Sequence, residues 1–227
     1  MANHLDLEEQ EQLDQLKHFW KQYGNLITWV LIVVLGAVAG WNGYHAWQRS
    51  QSVQAAAMFD EVEKVVRSGD AQKSERAFND MKDRFAKATY TQQAGLMVAK
   101  MTYEAGKVDA SKATLSWLIE NAADKGYVSI ARLRLSSILV EAKAYDEALK
   151  TLGTGVAEEF SALADDRRGD VYVLLGKKTE AKAEYQKAFK AFDEQSEYRR
   201  LVVVKLNALG VDPLADSKIA TGAEGAK

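Results

Sequence analysis

An all-α chain, with one membrane-spanning helix ahead of a helical-repeat domain, is what this sequence predicts. Three observations carry the prediction. Residues Gln22 to Gln48 contain no Asp, Glu, Lys or Arg. Pro213 is the only proline and lies near the C-terminus, so nothing from Arg49 to Asp212 forbids nearly continuous helix. The text between them is rich in Ala, Leu, Glu and Lys, and a small-then-large signature recurs in it at the spacing of a helical repeat.

The apolar run comes first. Leu26 to Trp47 reads LITWVLIVVLGAVAGWNGYHAW, and a bilayer core needs roughly 20 such residues in helical form, the form that bonds every backbone group without water. Trp20, Tyr23 and Trp29 stand at one end and Trp41, Tyr44 and Trp47 at the other, as interface belts do. Ala37-Val38-Ala39 has the small-x-small form of a signal cleavage site, but the leader is acidic (Asp6, Glu8, Glu9, Glu11, Asp14) where a signal needs basic residues. An uncleaved anchor is the better reading. The boundaries expected are a leader over 1–24, a span over 25–47, a repeat domain over 48–210 and a disordered tail over 211–227. Lys17 and Lys21 precede the span while Arg49, Lys64 and Arg67 follow it, so flanking charge leaves the orientation open.

Gly36 and Gly40 form a GxxxG pair, and Gly43 continues toward the same helix face. Small residues let a second helix approach closely in lipid, so these three are the expected membrane packing residues. Glycine is also simply common in membrane helices.

Beyond the span, a small residue is followed four positions later by a large one: Ala77 with Met81, Ala113 with Trp117, Ala148 with Leu152, Ala181 with Tyr185. The intervals bracket the 34 residues of a tetratricopeptide repeat. Gly69, Gly106 and Gly176 mark the end of the first helix of a pair, and Lys143-Ala144-Tyr145-Asp146 fills that place in the third. The best unit runs from Ser129 to Phe160, and the next repeats it with Tyr172, Leu175, Gly176, Ala181, Tyr185 and Ala188. The expected fold is therefore a tetratricopeptide-like right-handed α-solenoid, which buries a continuous core between stacked helix pairs. Ser196 to Leu209 is expected to cap it, with Leu201, Val204 and Leu206 closing the stack. The tail beyond Gly210 is too poor in apolar residues to offset the entropy of ordering.

Catalytic chemistry finds little footing. No cysteine exists, and His4, His18 and His45 all lie in the leader or span, so the repeat domain lacks the commonest nucleophile, general base and metal ligand. Gly176-Lys177-Lys178-Thr179 imitates the end of a phosphate loop but lacks its upstream glycine, and reads as a helix turn. No enzyme activity, cofactor or metal is expected. The net charge of -2, nearly balanced beyond the span, argues against nucleic acid as a partner.

Arg168 falls where a leucine is usual, at a helix packing position, so a structural ion pair with Asp166 or a neighbouring acid is expected. The same register places Val98, Thr102, Leu133, Ser137, Asp166, Asp170 and Val173 on the concave face. That mixture of apolar anchors and polar groups suits an extended peptide or a protein surface.

The leader KHFWKQYGN, the single span, and the segments RLRLSSILVEAKAYDEALKTL and ADDRRGDVYVLLGKKTEA, with Asp166, Arg168 and Gly169 followed by Gly176-Lys177 and Ala181, carry a family likeness. In these the chain resembles the YfgM-like ancillary subunits of the SecYEG translocon. The resemblance implies a bacterial inner-membrane, single-pass protein, with the N-terminus cytoplasmic and the repeats periplasmic. It implies a non-catalytic scaffold that partners the SecYEG channel and a membrane-anchored periplasmic chaperone of the PpiD, prolyl-isomerase-like type. Contact with nascent polypeptide would follow from that position, beside the lipid bilayer that holds the anchor. The rival reading is a cytoplasm-facing repeat scaffold of opposite topology.

Overall fold

The computed structural model describes residues 7–214, and among these only helices, turns and loops occur. The elements are α1 (Leu7–Arg67), α2 (Ala71–Phe85), α3 (Thr89–Glu104), α4 (Val108–Asn121), α5 (Lys125–Glu141), α6 (Tyr145–Gly153), α7 (Ser161–Leu174), α8 (Lys178–Ala191) and α9 (Glu197–Ala208). A short 3₁₀ turn, Glu158–Phe160, precedes α7. Two compact units divide at Val53 and Gln54.

The first unit is helical. Its side chains from Leu26 to Trp47 are largely exposed, including Leu35 and Trp41 at about two-thirds of their surface. A row of bare aliphatic and aromatic residues of this length has no counterpart on a water-facing helix, and its best window reaches a mean hydropathy of 1.9. It is a membrane-spanning helix by length and composition. No helix boundary falls at 24/25 or at 47/48, because α1 runs through both.

In the second unit each helix packs on its sequence neighbours, the α7–α8 pairing being the most extensive. This is an α-solenoid of helix pairs, and its core comes in consecutive clusters. Phe59, Val62, Phe78, Met81 and Val98 form one; Leu96, Leu115, Leu118, Leu135, Ile138, Leu139 and Val171 form the next. Ala181, Tyr185, Ala188, Val202 and Leu206 make the last. Trp117 packs on both of the first two clusters and meets Phe78 edge-on, with ring centroids 5.5 Å apart.

The repeat register is written in the turns. Gly69, Gly106, Lys143, Gly176 and Gly210 all have positive φ; Gly69, Gly106, Lys143 and Gly176 each end the first helix of a pair, and Gly210 ends α9. At each of the last four, the residue after the turn sends its backbone N–H back five residues: Lys107 to Thr102, Ala144 to Leu139, Lys177 to Tyr172 and Val211 to Leu206. That is a left-handed helix stop. The Gly176 mimic of a phosphate loop is one of these turns, as expected.

The turn positions correct the sequence register. Counting from them, Ser74 and Phe78, Ser111 and Leu115, Ala148 and Leu152, and Ala181 and Tyr185 are equivalent pairs, and all eight residues are buried. The expected pairs Ala77 with Met81 and Ala113 with Trp117 are therefore out of register, and Ala113 is exposed. The unit expected to run to Phe160 has a second helix that stops at Gly153, beyond which Gly155 turns with φ +75°.

Helix α9 caps the stack with Val202 and Leu206, both fully buried. Leu201 and Val204 are 45% and 62% exposed, so the expected face was right only at Leu206. Packing continues past the expected domain end: Val211 lies against the last cluster. Residues 215–227, the bulk of the predicted tail, lie outside the described residues, as do 1–6 of the leader.

Candidate protein-binding surface

The first helices α3, α5 and α7 of successive pairs lie side by side, and their shared face is the candidate surface. Turn-based counting places Met97 and Lys100 of α3, Arg134 and Ser137 of α5, and Arg167 and Asp170 of α7 at equivalent positions. Between α3 and α5 lies an open cleft of about 380 Å³, and between α5 and α7 another of about 170 Å³. The Tyr103 hydroxyl donates to Glu141 across the first, which raises the tyrosine pKa. Arg134 is steadied by donation from Nη1 to the Leu96 carbonyl at 2.8 Å.

Four predicted contact residues keep surface: Ser137, Asp170 and Leu133 are partly exposed and Val173 is 43% exposed. Val98, Thr102 and Asp166 do not, since each is fully buried. The reason is the interval between α3 and α5. Stepping back 35 residues from Leu133 and Ser137 selects Val98 and Thr102, whereas the turns at Gly106 and Lys143 are 37 apart and select Leu96 and Lys100. Val98 and Thr102 are equivalents of the buried Leu135 and Leu139 and face the core. Lys100 was missed for the same reason, and the turn spacing was the signal that could have found it; Arg134 and Arg167 sit one 33-residue interval apart, which was assumed correctly, and were simply not selected.

Asp166 was placed on the surface by a correct register and a wrong inference. It is equivalent to Leu96 and Leu133, and is covered by α9. Lys205 Nζ donates to its Oδ1 and Oδ2 at 2.7 and 2.9 Å and to Asp170 Oδ1 at 2.7 Å. Tyr198 donates to Asp166 at 3.3 Å, and Tyr185 to Asp170 at 2.7 Å. Burial pushes the Asp166 carboxyl up despite these donors. Burial opposes the Lys205 ammonium too, but its bonds to Asp166 and Asp170 prevail and raise it.

The expected Asp166–Arg168 pair is likewise corrected. Arg168 pairs with Asp165 and with Glu184 of α8, the latter at 2.8 Å, and donates to the Leu152 carbonyl at 2.9 Å. Burial works against the Glu184 carboxylate, yet Lys187 and Arg168 together hold it below the usual range. An acid on the packing helix is nearer than Asp166, whose side chain points to α9.

Gly36, Gly40 and Gly43 have nothing within 4 Å of where a Cβ would stand. Their face of α1 is open along its length. Among the described residues no group of three or more His, Asp or Glu side chains is placed to hold a metal ion.

A single membrane-spanning helix followed by stacked helix pairs with an open, mixed polar and apolar face defines a membrane-anchored binding protein of the helical-repeat class. The family model of the tetratricopeptide repeat-like domain matches residues 17–211. The chain is 32% identical over 213 residues to the ancillary SecYEG translocon subunit of Neisseria gonorrhoeae, covering 92% of this chain and 100% of that protein. It is 29% identical over 203 residues to the protein of the same name from Haemophilus influenzae (89% and 98% covered) and 25% over 206 residues to that of Escherichia coli (89% and 97% covered). The chain belongs to this tetratricopeptide repeat-like family, whose similar members carry the name ancillary SecYEG translocon subunit.

Proposed function

We propose that the chain is a non-catalytic ancillary subunit of the SecYEG translocon, a membrane-anchored scaffold that holds other proteins beside the channel. Likeness over the whole length carries this reading: the Neisseria relative aligns from end to end, anchor and repeats together, at 32% identity. The anchor works by effective concentration, since confinement to the plane of the channel turns a weak contact into an often occupied one. The finer reading has the leader cytoplasmic and the repeats periplasmic, where they link the channel to a membrane-anchored chaperone of the PpiD type serving secreted and outer-membrane proteins. Gly36, Gly40 and Gly43 form the edge by which the span docks on another helix, and Leu133, Ser137, Asp170 and Val173 belong to the contact surface of the repeats.

Photoreactive residues placed at Ser137, Asp170 and Val173 in membranes test the scaffold; adducts with channel subunits, the chaperone or nascent chains are expected, and none at any position would sink it. Reporter fusions at Asn3 and Ala223 test the topology. Activity of a cytosolic reporter at Ala223 would put the repeats on the cytoplasmic side.

A further inference from the structure

The two clefts on the first-helix face are one cleft built twice. Leu115 and Ile138 line the first, and their repeat equivalents Leu152 and Val171 line the second. Arg134 lines the first and Arg167, at the same position one repeat on, lines the second. Ser137 belongs to both, as a wall between them. Each thus offers an apolar lining with a guanidinium beside it.

One repeat further the same position is closed from within. Tyr185 replaces Leu115 and Leu152, and Lys205 replaces Ile138 and Val171. The Tyr185 ring fills the space under Gly169, and Lys205 Nζ sits 5.3 Å from that ring, bonded to Asp170. The array therefore holds two open clefts in succession and then stops.

Charge narrows the occupant. Lys100, Arg134 and Arg167 stand around the pair, while Glu141 accepts from Tyr103 and Asp170 is matched by Lys205. Lys100 lies 3.7 Å from Glu104 in an exposed pair, which holds it weakly. Among the described residues the two guanidiniums have no carboxylate within 4 Å, and they present donors that suit one.

Spacing sets its conformation. Helices packed side by side lie about 10 Å apart, and one three-residue turn of a polyproline II chain spans about 9 Å and returns its side chains to the same face. We infer that the two clefts form a tandem subsite for a segment of another polypeptide extended in the polyproline II form. It inserts apolar side chains three residues apart, one per cleft, and places a carboxylate beside each anchor for Arg134 and Arg167. This rests on the scaffold reading in taking the repeat domain as a protein-binding surface.

The test uses the full chain in lipid nanodiscs and a fluorescent Gly/Ser peptide carrying two leucines three residues apart, each followed by aspartate. Saturable binding is expected. It should weaken at least tenfold with lysines in place of the aspartates, with Ser137→Trp, and with Arg134→Gln combined with Arg167→Gln. The double glutamine variant should bind a probe with asparagines in place of the aspartates as the unaltered chain does, which a merely structural defect would not allow. Arg167→Gln alone, at an exposed residue, keeps the test readable if the others fail to fold. No saturable binding, or binding indifferent to Ser137→Trp and to probe charge, overturns the inference. Co-isolation of the unaltered chain with SecYEG is measured alongside; its absence counts against the translocon reading and leaves the clefts to be judged by the peptide alone.

Discussion

Arg168 donates from Nε to Glu184 Oε2 at 2.8 Å, tying α7 to α8 at the position that Val98 and Leu135 fill with apolar packing in the two preceding repeats. The guanidinium also reaches Asp165 and the Leu152 carbonyl, so three elements meet on one side chain. Arg168→Leu restores the apolar type but leaves the largely buried Asp165 without its partner and Glu184 with Lys187 alone. Breaking such a pair from one side costs about 3 kcal/mol. Urea titration of the domain in the full chain should show that loss, and Arg168→Leu with Asp165→Ala and Glu184→Ala should recover most of it.

Gly169 is a size match for Tyr185. A Cβ at Gly169 would stand 2.4 Å from Tyr185 Cε1, whereas the equivalent Ser136 and Ala99 face leucines, Leu152 and Leu115. Gly169→Ala is expected to cost about 2 kcal/mol by overpacking. Tyr185→Leu should make the same substitution nearly free, so the coupling in a double-mutant cycle measures the clash. Additive losses would refute it.

Lys143 is the one non-glycine with positive φ among the described residues, at 59°. The left-handed region costs a side-chain-bearing residue roughly 1 kcal/mol or more, and the equivalent turns are all glycine. Lys143→Gly should raise the thermal midpoint, by about 1 kcal/mol of stability, while Gly106→Ala lowers it by a similar amount.

Alkaline pH should loosen the C-terminal end of the stack first. Burial, then the hydrogen bond to Asp170, push the Tyr185 hydroxyl far above the ordinary tyrosine value, and Lys205 is raised by its two carboxylates against its own burial. Both folded values exceed the unfolded ones, so the stabilisation is complete below about pH 10 and is lost above it, at up to about 1.4 kcal/mol per pH unit for Tyr185, with Lys205 acting in the same direction. Melting followed from pH 8 to 11 should fall steeply above 10, and Tyr185→Phe should flatten that fall even if it lowers stability at pH 8.

Much was legible before any coordinates. Helices show because their signals are local: a charge-free run, a missing proline, a glycine at each turn. The anchor, the helix pairs and the cap all follow from such signals, and so does the absence of histidine and cysteine from the repeats. The exposed face of the first helices was legible only where the interval was right. Ser137, Asp170 and Val173 keep surface because the turns at Lys143 and Gly176 are 33 apart, as assumed; Val98 and Thr102 are buried because the preceding interval is 37. Two extra residues rotate a helix by more than half a turn and carry a side chain from surface to core.

Membrane attachment and the helical-repeat class were determined by sequence alone, since each rests on composition and spacing along one stretch of chain. Tertiary structure decided which charges meet. Asp166 looks to Lys205, 39 residues away, instead of to Arg168 two residues away, because helix geometry points i and i+2 to different faces while α9 folds back over α7. It also decided that two clefts stay open and the third is filled by Tyr185 and Lys205, a fact of packing volume that no linear pattern contains.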